Sequence, residues 1–305
     1  MKRITIYIFF ILSVLSCQEK PETPIDAQEP VLTTVSINIG TADESAKANF
    51  PLIPDVENLI HDVWVIQFSE RGVLYTGVDR FYRTSGEDGA RFLTLEAQVM
   101  SGKSTICLMA NLKKVNFNVT ALQAGLPDNL PQFKSTLLDM TSLLNSINTD
   151  NSPSAIPMFG YWEGTIGTGS PTLGGNNLNV TLGRMLCRVN LTIANRSAAT
   201  LKQLTFTNAS RQVYYFPQIS SAALPASAYC TYNYGLNLPT GTAATIYFYW
   251  APNFCYGEEK ATKMTFTDES GKSYSCYVTN SSTSEENCDY NMYHNCNYTI
   301  TVAIQ

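Results

Sequence analysis

Apolar and polar residues alternate with a period of two along much of the chain. The first such segment, residues 31–39, reads Val-Leu-Thr-Thr-Val-Ser-Ile-Asn-Ile, and Gly40 ends it. This alternation is typical of a strand with one buried face. The polar residues 41–49 follow and predict a loop. A half-buried strand is therefore expected at the start of the globular part.

Further strands are predicted from the same pattern, with turn residues between them. Residues 60–68 predict a strong strand, and residues 69–72 a turn into a return strand that begins at residues 73–75. The other predicted strands are residues 91–99, 104–110, 158–166, 178–182, 185–194, 201–208, 244–250, 261–267, 273–279 and 298–304. Several short strands at turn-marked spacing indicate a β-sandwich.

Helical periodicity appears mainly in residues 133–147, and a second short helix is predicted at residues 119–124. The apolar residues at helical spacing in the longer segment are Phe133, Leu137, Met140, Leu144 and Ile147. We expect this stripe to pack against a sheet. The predicted fold class is all-β, with one or two short helices in the first domain.

The N-terminus differs from everything that follows it. Two basic residues precede an apolar run, residues 4–16, and Cys17 comes directly after it. This order is typical of a secretory signal peptide, and the run is shorter than the about 20 apolar residues of a bilayer span. A cysteine at this position indicates a bacterial lipoprotein with an acylated Cys17; the alternative is an ordinary signal peptide with an incidental cysteine. Residues 1–17 are then the signal peptide with the lipidated cysteine, and residues 18–30 a disordered tether.

Composition and charge narrow the class of protein. Of 305 residues, 44% are apolar and 15% are charged, against a usual charged fraction of about 25%. The net charge is −5 and no basic cluster occurs, so nucleic acid is not an expected partner. The length allows two domains, which we place at residues 31–182 and 183–305.

The cysteines suggest an oxidising compartment without fixing a connectivity. Removing Cys17 from the eight cysteines leaves seven, so at least one thiol stays unpaired within the chain. Cys107 and Cys187 lie in apolar segments and are expected as small buried side chains. The five later cysteines allow one or two disulfides. Cys288 and Cys296 would close a short loop and are the candidate pair.

The sequence offers little for catalysis or metal binding. Its two histidines, His61 and His294, lack partners at metal-ligand spacing, and export disfavours a thiolate zinc site that combines His294 with Cys288 and Cys296. Neither a Gly-x-Ser-x-Gly nor a His-Glu-x-x-His motif occurs. Tuned titratable groups are what acid–base catalysis requires. We therefore expect a protein that is not an enzyme and needs no cofactor or metal.

Aromatic residues are the one abundant resource. They concentrate in the second half, at residues 214–216, at Tyr229, Tyr232 and Tyr234, and at residues 247–250. Alternate members of a strand point to opposite faces, so part of the last run must be core. The rest could cover sheets or stack on sugar rings. A sugar platform would need at least two rings that face solvent on one plane.

Five segments, taken in order, resemble one family. They are residues 63–68 (Val-Trp-Val-Ile-Gln-Phe), 156–164 (Ile-Pro-Met-Phe-Gly-Tyr-Trp-Glu-Gly), 182–191 (Leu-Gly-Arg-Met-Leu-Cys-Arg-Val-Asn-Leu), 248–253 (Phe-Tyr-Trp-Ala-Pro-Asn) and 288–302, which begins Cys-Asp-Tyr-Asn-Met-Tyr-His-Asn-Cys. Their order and spacing resemble the fimbrillin-like lipoproteins of Bacteroidales, the superfamily of type V pilus subunits and their anchors. His294 stands where the family has Arg before Asn, and Pro252 where it has Glu before Asn. These departures indicate a divergent branch.

The resemblance implies two tandem transthyretin-like β-sandwich domains. It also implies a lipid-anchored protein at the cell outer membrane that assembles with other fimbrial subunits and adheres to host or bacterial surface ligands. Pilins of this family polymerise by strand exchange. A protease trims the N-terminal strand after a basic residue, and the groove then accepts a donor strand from the next subunit. The physical basis is the completion of a sheet by an extended segment.

Here the removable strand is predicted at residues 31–39, and the processing loop contains Lys47 but no arginine. The apolar positions of that strand are Val31, Val35, Ile37 and Ile39. No arginine occurs between Cys17 and Arg71, which disfavours an arginine-specific protease. The chain is therefore expected to keep its lipid, as an anchor does, or to be trimmed with another specificity. The alternative function is a surface glycan-binding lipoprotein, and a secreted hydrolase is a more distant third.

Overall fold

Strands dominate the structure, a computed structural model that describes residues 29–42, 55–83, 88–150, 155–168, 176–217, 224–255, 258–278 and 290–305. The strands are β1 (Leu32–Thr41), β2 (Asp62–Ser69), β3 (Arg80–Arg83), β4 (Phe92–Met100), β5 (Gly102–Ala110), β6 (Leu137–Asp139), β7 (Met158–Ile166), β8 (Asn177–Arg184), β9 (Cys187–Asn195), β10 (Leu201–Ser210), β11 (Gln212–Tyr214), β12 (Tyr229–Leu238), β13 (Ala243–Trp250), β14 (Lys263–Asp268), β15 (Ser273–Tyr277) and β16 (Asn297–Ile304). The helices are α1 (Val119–Ala124), α2 (Leu130–Ser135) and α3 (Thr141–Asp150), with short 3₁₀ helices at Asp55–Asn58, Ala226–Ala228 and Glu258–Lys260. The predicted β-rich class, with few short helices, is confirmed.

Strands of the first part of the chain form one large sheet, and later strands form two smaller ones. The largest sheet has seven strands in the order β3-β2-β5-β7-β8-β1-β4. Later strands build a three-stranded sheet, β13-β9-β16, and a four-stranded sheet, β12-β10-β14-β15, while β6 pairs with β11. Residues 31–305 form one compact unit, and residues 1–30 a second unit of which Glu29 and Pro30 are described. The division between residues 182 and 183 stays a prediction.

The strand β2 is buried on both faces and separates two apolar clusters. Trp64, Ile66 and Phe68 point into a cluster that includes side chains of α2 and α3. Val63 and Val65 point the opposite way, into a cluster with side chains of β1, β4 and β8. Alternate side chains of a strand face opposite sides, so one strand can serve both clusters.

A third cluster fills the space between the three-stranded and four-stranded sheets. Phe206 lies at its centre, with ring centroids 4.6 Å from Phe248 and 5.0 Å from Trp250. Tyr249, between them in sequence, is buried in the cluster of α2 and α3 instead. The expectation that part of residues 247–250 is core is confirmed.

The single helix predicted at residues 133–147 is wrong. The segment forms α2, then β6, then α3. Thr136 is extended at the end of α2, and Leu137–Asp139 pairs with Gln212–Tyr214. The Asp139 carboxylate then accepts from the Thr141 amide at 2.8 Å, where α3 begins. A strand pairing with residues more than 70 positions away has no local signature, so helical spacing alone could not detect the break.

The remaining predictions agree with the structure to different degrees. The helix at residues 119–124 and the strand at residues 158–166 have the predicted bounds. The return strand at residues 73–75 is reduced to isolated bridges, Leu74 with Phe68 and Val73 with Asn129. The strands β3, β11 and β12 were not predicted.

Candidate functional site

The predicted removable strand is β1, which lies next to the end of the seven-stranded sheet. It runs antiparallel to β4 over residues 32–40 and parallel to β8 over residues 36–41. We call the space that it occupies between β4 and β8 the β1 slot. Both edges of β1 are therefore paired over residues 36–40, one with each wall of the slot.

Three apolar side chains of β1 fill the inner side of the slot. Val35 and Ile37 have no exposed surface, and Ile39 is 2% exposed. They pack in one cluster with Leu95, Ala97 and Val99 of β4 and with Leu178, Val180 and Leu182 of β8. Burying an aliphatic side chain of this size contributes about 1.5–3 kcal/mol. Val31, the fourth predicted apolar position, precedes β1 and is 53% exposed, so it does not belong to this row.

Polar side chains cross the outer side of the slot. The Thr94 hydroxyl donates to Asn38 Oδ1 at 2.8 Å, and Asn38 Nδ2 donates to Asn179 Oδ1 at 3.1 Å. Farther along, the Gln98 amide donates to the Thr34 hydroxyl at 2.7 Å. Side chains on the outer face of β1 are thus hydrogen-bonded to both walls.

Each end of β1 is also held by bonds beyond the strand pairing. The Val31 amide donates to the Ser101 hydroxyl at 2.8 Å, and the Ser101 amide donates to the Val31 carbonyl at 2.8 Å. At the other end, the Ala42 amide donates to the Leu182 carbonyl at 2.7 Å. These contacts define where the segment in the slot begins and ends.

The chain returns to the folded body close to the place where β1 leaves it. Ala42 lies beside Leu182 of β8, and Glu57, in the 3₁₀ helix Asp55–Asn58, contacts Arg184 at the end of the same strand. The connection between them includes the candidate processing residue Lys47, which lies outside the described residues. The lipidation candidate Cys17 also lies outside them.

Glu57 is the centre of a buried polar cluster that sequence reasoning missed. Its carboxylate has no exposed surface and contacts Arg184 Nη1 at 3.1 Å and Arg188 Nη1 at 2.9 Å. The Tyr249 hydroxyl also donates to it. Arg184 in turn donates from Nε to the Asn295 side chain at 3.2 Å. Through Glu57, the cluster links the 3₁₀ helix Asp55–Asn58 to the strands β8, β9 and β13. Through Arg184, it also includes Asn295, which lies just before β16.

Burial is the main influence on the acidity of this cluster. It raises the pKa of the Glu57 carboxyl, and Arg188, Tyr249 and Arg184 act against that shift. Burial and the neighbouring Glu57 also raise the pKa of the Tyr249 hydroxyl. The sequence gives one signal for this cluster, which is that both arginines lie in the family-like segment 182–191. Glu57 lies 127 residues before Arg184, so no local pattern connects them.

Metal-ligating side chains do not cluster in the described part of the chain. No group of three or more His, Cys, Asp or Glu residues that could hold a metal ion occurs there. Burial lowers the pKa of His294, although a hydrogen bond with the Arg184 backbone acts in the opposite sense. Cys107 and Cys187 are fully buried, as predicted. Cys288 lies outside the described residues, so its pairing with Cys296 stays a prediction.

We compared the described helices with the length and hydropathy that a membrane-spanning helix needs. None of them is both long enough and apolar enough to cross a bilayer.

Comparisons with known proteins identify the fold. No protein-family model matches the chain, and no curated protein matches it in sequence. The tip fimbrial protein Mfa3 from Porphyromonas gingivalis, solved with a C-terminal truncation, matches with a TM-score of 0.61 at 14% identity, over 90% of this chain and 96% of that chain. A fimbrilin, FimA, from the same organism matches with a TM-score of 0.54 at 13% identity, over 89% of this chain and 90% of that chain. At these identities the likeness shows a shared β-rich fold, which confirms the predicted resemblance to fimbrillin-like proteins. The two tandem transthyretin-like sandwich domains stay a prediction.

Proposed function

We propose that this chain, which has the fold of fimbrial proteins, is a non-enzymatic fimbrial subunit or fimbrial anchor at the cell surface. It takes part in pilus assembly and adhesion, and its β1 slot serves strand complementation with other fimbrial subunits. The observation that supports this most directly is how the slot is built. One strand is held by backbone pairing on both edges and by a single apolar row. An extended segment of another chain with the same alternation would make the same contacts.

The N-terminus supports a lipid-anchored location at the outer membrane. Labelling of cells with a palmitate analogue should mark the protein, and Cys17→Ala should abolish the label. Sequencing the mature N-terminus then separates two forms of the proposal. Intact lipid on Cys17 supports an anchor that keeps β1, and a new N-terminus near Lys47 supports a polymerising subunit. A mature protein with neither would contradict surface anchoring and trimming alike.

Strand exchange in a cut chain tests the central claim. A site-specific protease sequence is placed within residues 43–54 of the chain from residue 18 onward, which keeps every described element. After cleavage, β1 is held by non-covalent contacts alone. A fluorescent peptide of residues 29–42 is then added, and its retention is followed by anisotropy and size-exclusion chromatography. We expect the peptide to replace the cut strand.

Two substituted peptides form a matched pair. Ile37→Asn places an amide at a position with no exposed surface, whereas Leu32→Asn places it where the side chain is 53% exposed. Burying an unpaired amide costs about 1–3 kcal/mol, and the burial of isoleucine is lost as well. The Ile37→Asn peptide should therefore bind at least about tenfold more weakly than the Leu32→Asn peptide. Strand complementation is refuted if the cut protein is folded but does not bind the unsubstituted peptide, and the two substituted peptides show no difference in affinity.

The aromatic side chains do not favour the alternative of a glycan-binding lipoprotein. The aromatic side chains of the second half singled out in the sequence are buried or half-buried. Among the described residues, the aromatic rings with large exposure are Phe92 and Tyr161. Tyr161 packs against Phe216 at 4.8 Å between centroids. No observation therefore favours this function over the fimbrial one.

A further inference from the structure

The apolar row of β1 cannot by itself fix the register of a strand in the slot. A slip by one residue turns the apolar side chains to solvent and is strongly disfavoured. A slip by two residues keeps the same side facing inward and exchanges one of the three aliphatic side chains, Val35, Ile37 and Ile39, for Thr33 or Thr41. The inner face therefore rejects odd slips strongly and penalises even slips less. Features of the outer face can therefore add to the register that the inner row and the contacts at the two ends of β1 favour.

Gly40 is the first outer-face feature that does so. It lies directly between Phe92 of β4 and Thr181 of β8. A Cβ atom at this glycine would lie 2.9 Å from Phe92 Cε1 and 3.0 Å from Cδ1. The Phe92 ring is 76% exposed, so it can swing aside, but only by giving up its contact with the strand. Any side chain at this place in the slot therefore displaces the ring.

Asn38 is the second feature. It occupies the preceding outer position, between Thr94 and Asn179, and is hydrogen-bonded to both. If β1 moved by two residues in one direction, Asn38 would take the place of Gly40 and meet the Phe92 ring. In the other direction, Ala42 would meet the ring and a glycine would replace the bridging amide. Either even slip thus loses both features at once.

Resting on the proposed function, we infer that Gly40 and Asn38 fix the register and select the partner of the slot. The fitting partner is an extended segment with aliphatic residues at three alternate inward positions, an asparagine between the second and third, and a glycine directly after the third. In this chain the segment reads Val-Ser-Ile-Asn-Ile-Gly, residues 35–40. A strand with a side chain in the place of Gly40 would collide with the Phe92 ring. A strand without an amide side chain in the place of Asn38 would leave Thr94 and Asn179 without their hydrogen-bond partner.

Peptides with one outer-face change test this inference in the cut protein. Gly40→Val and Ser36→Val peptides share the new side chain and the same outer face of β1. Overpacking predicts that the Gly40→Val peptide binds about fivefold or more weakly than the Ser36→Val peptide. A body that carries Phe92→Ala should bind the two equally, because the ring is then absent.

The outcomes separate the inference from the function on which it rests. If the unsubstituted peptide does not exchange, strand complementation fails, and the register claim is decided in the uncut chain. In the uncut chain, Gly40→Val should lower the midpoint of urea unfolding. In a chain that already carries Phe92→Ala, adding Gly40→Val should not lower the midpoint further. Equal binding of the two valine peptides, or a Gly40→Val loss that Phe92→Ala leaves in full, would overturn the inference.

Discussion

The buried carboxylate of Glu57 offers the sharpest test of how the structure is held together. We consider Glu57→Gln, which keeps the size of the side chain and removes its charge. Two buried arginines, Arg184 and Arg188, each 4% exposed, then lose their counter-charge. The exposed pair Glu70–Lys103 gives a matched control, since its side chains are 63% and 65% exposed and 2.8 Å apart.

The magnitude follows from burial. Removing one partner of a buried ion pair costs about 3–5 kcal/mol, because the other charge is left uncompensated. The glutamine keeps one oxygen that accepts from an arginine or from Tyr249, so we expect the lower end, about 3 kcal/mol. Glu70→Gln should change the free energy of unfolding by no more than about 0.5 kcal/mol, as is usual for exposed pairs. Tyr249→Phe removes one hydrogen bond to a charged group and should cost about 1.5–3 kcal/mol.

Equilibrium urea unfolding measures all three variants. Tryptophan fluorescence reports on three regions, because Trp64 and Trp250 are buried in different clusters and Trp162 packs against the cluster of β1, β4 and β8. A loss with Glu57→Gln no larger than with Glu70→Gln would refute the reasoning that this cluster supports the fold. A loss confined to one fluorescence transition would show that the cluster stabilises one part alone.

Three further predictions concern other buried or bonded groups. Asn148→Ala should cost about 2 kcal/mol, because the buried side chain bonds a backbone amide and carbonyl of β13 at 2.7 and 3.0 Å, whereas the exposed Asn145→Ala should be neutral in the same assay. Cys107 and Cys187 should resist iodoacetamide until urea unfolds the chain, since burial raises the pKa of both thiols; mass spectrometry that finds either one alkylated in the native state contradicts this. Hydrogen bonds, first that of the Ser270 hydroxyl, lower the pKa of Asp268 from 3.8, so its stabilising effect is complete above that value and is lost as the pH falls through the lower folded-state pKa. In Asp268→Asn, the free energy of unfolding should therefore fall less steeply as the pH is lowered. If its pH dependence equals that of the unsubstituted protein, Asp268 is not the source of this loss.

How much of this could be predicted from sequence depends on the distance over which each feature is specified. Residues 31–39 carry the alternation of β1 within themselves, so the strand and its buried row were predictable. The break of the helix at residues 133–147 depends on pairing between β6 and β11, and Glu57 depends on arginines more than 120 residues away. Neither leaves a local pattern. The Gly40–Phe92 contact is similar, because it requires the register between β1 and β4.

The different burial of β1 and β2 supports β1, and not β2, as the strand of the proposed exchange. β2 contributes to two apolar clusters, so its loss would open both, whereas β1 contributes to one. Its three buried side chains are worth about 1.5–3 kcal/mol each, a large share of the about 5–15 kcal/mol by which a domain is stable. An empty slot is therefore unstable, while the cluster around Phe206 and the contacts of Glu57 do not involve β1. A chain cut after β1 is expected to keep those parts folded and to require a strand in the slot, which is the condition under which the proposed complementation would operate.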